Sequence, residues 1–512
     1  MKKKFRHTIL TSFSYIIISI VSAGYGLLIA RFFTGQPVDQ DAFFLAYTVF
    51  SALMMFSGTL RISVVPMLSD HSGTETGAVA HYGEIAISVG LCFLAAAFLV
   101  GILWKPLGEF LGYGFSSEGR RMTSLALLAF SPAIFFQGMT QFFGAALGAI
   151  GDFDFVSASA SVSSIAGLLI FLLSAKIGIF SVVLGLSAFN LFYACSQWHR
   201  ARSIGMVVLR EDWHLISITK IFQILKTIFR SSSIYLAFNI AYIICQSLST
   251  TFPSGTPTAF AYAYMITTMT ILVTTGAMGI TLTDRYRDYT LGPTELFRDF
   301  VVEHAAISGL IASACIGLLT VLALPLGSFI FTILPAGSTL AEIGNEKAVL
   351  FTKSVWSLTI GGWGMAIFAV LTPAAIAARR TRHFTVYAVT ILSLQLFAIV
   401  VLKRIFGLIG LGISFSLTAL LLSSFPAIKL LPIFGWVFVR SMLRRLLISA
   451  GTGIAAATCT ILVHRTMHPV SSWPIKLTVS VLLFSSLYFA GTFFLERSSW
   501  NALLSHFKRR SD

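Results

Sequence analysis

The sequence predicts an all-α polytopic membrane protein of about fourteen transmembrane helices, built as two pseudo-repeated six-helix lobes plus two C-terminal helices. Three observations predict it. Of 512 residues, 56% are hydrophobic and only 11% charged, against about 45–50% and about 25% in soluble domains. The apolar residues gather into fourteen runs, most of them long enough for the roughly 20-residue crossing of a bilayer core. The 36 Lys and Arg, against 20 Asp and Glu, lie mainly in the connections between runs, with an excess on one side. A soluble enzyme, a disordered chain and a disulfide-stapled secreted module are thereby excluded. The net charge of +16 reads as basic cytosolic loops, not as a nucleic-acid surface.

Each run is bounded by charge or by Gly/Pro punctuation. The first, 8–33, follows Lys2, Lys3, Lys4 and Arg6. It is too long for a cleavable signal and lacks a small-x-small cleavage site, so it is expected to be the first span, with its basic end in the cytosol. The next runs are 41–66, 83–104, 123–150, 156–175 and 177–198, which complete a first lobe over 1–198. A linker, 199–229, carries Leu215, Ile218, Phe222, Leu225 and Phe229 at alternating spacings of three and four. Lys220, Gln223 and Lys226 fall opposite, the pattern of an interfacial helix on an anionic leaflet. Runs 230–252, 259–283, 300–333, 354–377, 384–402 and 406–428 make a second lobe over 230–429. Runs 446–463 and 477–495 follow within 430–495. The basic tail 496–512 repeats the amphipathic pattern with Trp500, Leu503, Leu504 and Phe507 beside Lys508, Arg509 and Arg510. Gly24, Gly26, Gly144, Gly148, Gly361, Gly362 and Gly364 suit the close helix contacts that small residues permit in lipid.

With the N-terminus inside and the spans alternating, 24 Lys and Arg fall in cytosolic segments and 10 in outer ones. Arg31 and Arg61 lie within helices. Both termini are therefore expected in the cytosol. The five cysteines, Cys92, Cys195, Cys245, Cys315 and Cys459, sit in apolar runs at least 50 residues apart, without metal or disulfide spacing. The chain repeats weakly. Ala42-Phe43-x-x-Ala46-Tyr47 matches Ala259-Phe260-x-x-Ala263-Tyr264, and Ala145-Ala146-x-x-Ala149 matches Ala374-Ala375-x-x-Ala378. Gly178 and Gly407 keep the second offset. Transporters are commonly built from such repeats, with the substrate path at the repeat interface.

No phosphate-binding loop occurs, since Gly-Lys is never found, and no HExxH or EF-hand pattern exists. No enzyme, cofactor or metal site is expected. Gly407-x-x-Gly410-x-Gly412 lies in an apolar run and reads as packing. His304 beside Glu303 reads as an interfacial pair. Intramembrane charge costs about 2.5–3.5 kcal/mol per residue at mid-helix on insertion scales, which singles out Arg31, Asp41 and Arg61. The arginines either snorkel to headgroups or line a cavity and hold an anionic headgroup, for which their planar fork is suited. Asp41 would orient Arg31. Gln137, Gln141, Asn190, Gln197, Asn239 and Gln246 serve equally as interhelical glue or as a polar cavity lining.

Ala30-Arg31-Phe32-Phe33, Asp41-Ala42-Phe43-Phe44-x-Ala46 and Val65-Pro66 resemble the MurJ/MviN lipid II flippase family of the multidrug/oligosaccharidyl-lipid/polysaccharide exporter superfamily. So do Gly144-x-x-Leu147-x-Ala149-x-Gly151-x-Phe153 and Leu371-x-Pro373 with Ala378-Arg379. The resemblance runs in order over nearly the whole chain. It implies a flippase that carries a polyprenyl-diphosphate-linked saccharide precursor (lipid II, or an exopolysaccharide or O-antigen unit) from the inner to the outer leaflet of a bacterial inner membrane by alternating access. Its partners would be that substrate and membrane lipids, its expected state a monomer, and any coupling ion Na⁺ or H⁺. Outward movement of negative charge gains about 2.3 kcal/mol per charge per 100 mV. The chain departs from the family at its cavity arginines. Their positions hold Tyr25 and Ser19 in helix one, Met54-Met55 in helix two and Met265 after Tyr262-Ala263-Tyr264 in helix eight. The alternatives are a cation-coupled multidrug antiporter of the same superfamily, which wants a carboxylate deep in a lobe, and a membrane glycosyltransferase or ligase, which wants acidic or metal-binding outer loops.

Overall fold

The computed structural model describes residues 2–33, 35–69, 82–150, 152–206, 208, 218–268, 294–333, 341–378, 380–466 and 473–497. Within these, side chains 2–13, 15–16, 55–69, 153, 220, 231, 294, 333, 341–343, 377, 464–466 and 473–476 are outside the described set, Arg61 among them. The described residues are helical almost throughout. In chain order they form α1 (Lys2–Phe33), α2 (Pro37–Ser69), α3 (Tyr82–Ile102), α4 (Trp104–Leu111), α5 (Ser117–Ala149), α6 (Phe153–Leu173), α7 (Phe180–Ser203) and α8 (Ile218–Ser249). There follow α9 (256–268), α10 (Thr294–Ser328), α11 (Ala341–Thr359), α12 (Gly362–Ala377), α13 (Phe384–Phe406), α14 (Leu408–Thr466) and α15 (Trp473–Leu495). Among the described residues, nine helices are long and apolar enough to cross a membrane, or ten if the bent pair Gly344–Thr359 and Gly362–Ile376 makes one span.

α14, one of the nine, is too long for a single crossing. Its 56-residue apolar stretch, Leu408–Val463, measures about 84 Å at 1.5 Å per residue, against a core of about 30 Å. It breaks at Gly435, whose φ of 75° and ψ of 176° belong to a region open essentially to glycine. The segment 429–445, expected as a cytosolic connection because of its four basic residues, is therefore helical on both sides of one hinge. The reason is burial at a four-residue spacing: Leu430, Phe434, Phe438, Met442 and Leu446 are all buried. Phe434 meets Phe438 at 5.0 Å and Phe297 of α10 at 5.3 Å. The amphipathic linker also differs from a free surface helix. From Ile218 it runs without interruption into α8, with Ile218, Phe222 and Phe229 exposed.

The chain divides into two compact units, Met1–Thr258 with 334–340, and Ala259–Ile333 with Ala341–Asp512. In the first, α5 is the central helix, packed on α2, α3, α4 and α7, while α8 lies along α2 and α6 joins α1 to α7. Phe43, Phe50 and Phe130 are buried together, the last two stacked at 4.9 Å. The α6–α7 crossing is made by glycines: a Cβ at Gly167 would come within 2.7 Å of Gly185 O, and one at Gly185 within 2.7 Å of Gly167 O. In the second unit α14 is central, in contact with α10, α11, α12, α13 and α15. The Tyr488 hydroxyl of α15 donates to Leu310 O of α10 at 2.6 Å. α13 and α15 bury only 22% of their apolar windows and expose Phe397, Val400, Phe494 and Leu495. Such continuous apolar surface is untenable in water, and these helices face lipid.

Candidate functional site

The best-defined polar site among the described residues lies in the first unit, where the α1–α2 and α8–α9 turns meet. Asp41 sits in the second turn of α2 and is 1% exposed. A carboxylate so buried must be heavily hydrogen-bonded or lose its charge. Asp41 accepts from Gly255 N–H at 2.7 Å, Thr258 N–H at 2.9 Å and the Thr258 hydroxyl at 2.5 Å, with Ser254 Oγ at 3.4 Å. Residues 254–258 are the turn into α9 and its first residues. The first N–H groups of a helix have no intrahelical acceptor and carry its positive dipole end. Asp41 thus caps α9 from another helix, with charge-assisted bonds on both of its oxygens.

Neighbouring contacts brace this cap. Gln40 Nε2 donates to Ile29 O at 3.1 Å and ties α2 back to α1. Gln246 Nε2 donates to Pro257 O at 2.8 Å and ties α8 to α9 in the same manner. Ser247 Oγ donates to Leu111 O at 2.6 Å, and Gly114 N–H donates to Thr250 Oγ1 at 3.2 Å. Three turns of the first unit (35–36, 112–116 and 250–255) are therefore stitched together at one end around Asp41.

The residues singled out in the sequence are distributed unevenly about this end. Arg31 is exposed on the last turn of α1, and Asp41 is turned to the 254–258 turn. Arg61 lies on α2 with its side chain outside the described set. Gln246 belongs to the brace, with its Oε1 buried and unbonded among the described residues. Asn239 is buried and gives its Nδ2 to Tyr235 O of its own helix at 2.8 Å. Gln137 is buried and Gln141 half-buried on α5. Elsewhere in the unit, Asn190 donates to Leu186 O, and Gln197 is buried beside Gly144 with both amide atoms unbonded among the described residues. His304 and Glu303 part company in the second unit: His304 is buried with Nδ1 2.7 Å from Phe300 O, and Glu303 is half-buried.

The positions that depart from the resembled family are occupied by packing, not by charge. Tyr25 is buried and stacked on Phe171 at 5.5 Å, its hydroxyl against the Gly167–Gly185 crossing. Ser19 and Met54 are half-buried, and the Met55 side chain is outside the described set. Met265, at the arginine position of helix eight, is half-buried, and Tyr264 before it is buried edge-on to Phe415 at 5.5 Å. Sequence reasoning missed the 254–258 turn, Gln40 and Ser247. A signal existed in Ser254-Gly255-Thr256-Pro257-Thr258, since Pro near a helix start and Thr before it mark an N-terminus in need of acceptors.

The family described as "Lipid II flippase MurJ" matches residues 29–478. A search of curated proteins found no match. Among solved structures, a lipid II flippase MurJ in an inward closed conformation superposes with a TM-score of 0.71 at 16% identity, over 96% of this chain and 98% of that one. An inward-facing multidrug resistance MATE family transporter of the MOP superfamily gives 0.59 at 16% identity, over 85% and 98%. A Vibrio cholerae MATE transporter in its bent form gives 0.55 at 16%, over 87% and 98%.

Proposed function

Because the chain belongs to the lipid II flippase MurJ family and is a multi-pass membrane flippase of a lipid-linked precursor, we propose that Asp41 is the latch that holds one end of its transport path shut. By the distribution of Lys and Arg the latch end is the outer one and both termini are cytosolic, and membership of the family points to a bacterial inner membrane. The protein works as a monomer by alternating access, and the precursor is a polyprenyl-diphosphate-linked saccharide. The single observation that carries the latch is the Asp41 carboxylate accepting from Gly255 and Thr258 at the start of α9. Outward opening requires those bonds to break, and their replacement by water makes the exchange reversible. Arg31, exposed on the neighbouring turn, and Arg61 on α2 contact the headgroup, and Gln137 and Gln141 line its path. With no nucleotide-binding motif, the drive is the membrane potential or a Na⁺ or H⁺ gradient.

The test is a cell whose own lipid II flippase can be depleted, with outer-leaflet lipid II read by its accessibility to an external probe. The chain restores labelling if lipid II is the cargo, whereas restoration of a surface polysaccharide alone assigns another saccharide. Arg31→Ala and Arg61→Ala, inserted at normal levels, are expected to lower labelling at least tenfold together. Full labelling in the double variant rejects both as headgroup contacts. The antiporter reading draws no support from Asp41, whose oxygens already face N–H and O–H donors where a cation would need them free.

A further inference from the structure

The second unit holds a polar cleft that the flippase reading does not use. It has a volume of about 380 Å³ and lies between the first turns of α10 and the part of α14 just past the Gly435 hinge. Its charged lining is Arg298, Asp299 and Glu303 from α10 and Arg445 from α14. Arg298 Nε donates to Asp299 Oδ1 at 2.8 Å. Arg445 stands 3.9 Å from Glu496, which is buried behind it at the end of α15. The cleft thus presents two guanidinium groups and two carboxylates at its open face, with the Glu496 carboxylate behind Arg445, in a volume within the usual range of about 300–1,000 Å³ for small-ligand sites.

The level of the cleft is fixed by the sequence on either side. Beyond His304, α10 is free of charge to Ser328, and beyond Arg445, α14 is free of charge to Val463. Both apolar crossings begin at the cleft, which places it at the edge of the hydrocarbon. Val437 lines it and Trp436 precedes Val437 in the chain, each 73% exposed, and an exposed tryptophan at this level is the usual marker of the headgroup layer. An occupant therefore needs an anion, a cation that donates hydrogen bonds, and an apolar remainder.

The geometry points to a site for a zwitterionic phospholipid with a primary ammonium, that is, a phosphatidylethanolamine headgroup. The phosphate lies between Arg298 and Arg445, where guanidinium forks match its oxygens. The ammonium donates to Asp299 and Glu303, and the acyl chains run along Trp436 and Val437. A choline headgroup has no N–H to donate, and a glycerol headgroup has no cation, so neither satisfies the carboxylates.

Native mass spectrometry of the full-length protein in detergent, offered equal amounts of phosphatidylethanolamine, phosphatidylcholine and phosphatidylglycerol of one chain composition, tests this. Phosphatidylethanolamine is expected to be retained at least fivefold over each of the others. Glu303→Gln and Arg298→Gln, both on half-exposed side chains that the core does not need, are expected to bring that preference below twofold. Phosphatidylethanolamine with brominated chains is expected to quench a tryptophan signal that Trp436→Phe removes. Soluble glycerophosphoethanolamine at millimolar concentration is expected not to displace the lipid. Equal retention of the three lipids, preference for the anionic one, an unchanged preference in both variants, quenching untouched by Trp436→Phe or full displacement by the soluble headgroup overturns the assignment.

Discussion

Asp41 in the first unit and Glu303 in the second are both carboxylates near the end of a membrane-spanning helix, and the fold treats them oppositely. Asp41 is sealed and bonded by two backbone N–H groups and a hydroxyl. Glu303 stays half-exposed on the wall of an open cleft. A buried carboxylate with all its lone pairs engaged contributes cohesion, and its removal strands donors that water cannot reach. A half-exposed one contributes little to stability and keeps lone pairs for a ligand. Burial and donor count, not residue type, separate the carboxylate that holds the fold from the one that can recognise something.

The sharpest way to break this contrast is Asp41→Ala. It leaves Gly255 and Thr258 N–H without acceptors at the start of α9, at an expected loss of about 1.5–3 kcal/mol for a charged hydrogen-bonding group. Thermal unfolding in detergent, followed by monodisperse recovery, reads that loss. Outer-leaflet labelling of the lipid-linked precursor is expected to fall at least tenfold. Asp41→Asn keeps one carbonyl acceptor and is expected to recover about half of the stability. A fully stable Asp41→Ala protein would mean that the turn satisfies its own donors, and the latch would be refuted.

The same pair shows what was legible beforehand. Asp41 could be picked out because a charge beside an apolar run is costly, and the Asp41-Ala42-Phe43 motif pointed the same way. Its partners were hidden because they are 213–217 residues away and two of the contacts are to backbone N–H groups, which no side-chain pattern announces. The 217-residue offset of the repeat does relate Asp41 to Thr258, so the two equivalent helix starts bond to one another. The apolar runs located the helices because lipid imposes one length and one composition on every span. Basic residues were a poorer guide at 429–445, where Arg440, Arg444 and Arg445 suggested a loop. Charge marks the side of the membrane, while the four-residue spacing of Phe434, Phe438 and Met442 decides the backbone.

Two smaller effects probe each region in turn. Gly435→Ala places a Cβ where φ is 75° and ψ is 176°, at a cost of about 1–3 kcal/mol. The expected result is a lower melting temperature together with a weakened phosphatidylethanolamine preference, since the hinge sets the position of Arg445 relative to α10. A loss of stability with the lipid preference intact would detach the hinge from the cleft. Thr258→Val removes only the hydroxyl donor to Asp41 and leaves both N–H contacts, so about 0.5–1.5 kcal/mol is expected to be lost, less than for Asp41→Ala. Their double variant should cost little more than Asp41→Ala alone, because interacting groups are not additive.

The smallest expected effect is on stability in Glu303→Gln. Nothing in the core depends on this side chain, and surface substitutions away from buried networks usually stay within about 0.5 kcal/mol. The melting temperature of the lipid-free protein should therefore be unchanged. In the presence of phosphatidylethanolamine vesicles the unsubstituted protein should melt higher, because a ligand that binds only the folded state stabilises it in proportion to the logarithm of its saturation, and Glu303→Gln should lose most of that increment. A fall in the lipid-free melting temperature comparable to that of Asp41→Ala would place Glu303 among the residues that hold the fold, and the distinction between a sealed carboxylate and an available one would no longer describe this protein.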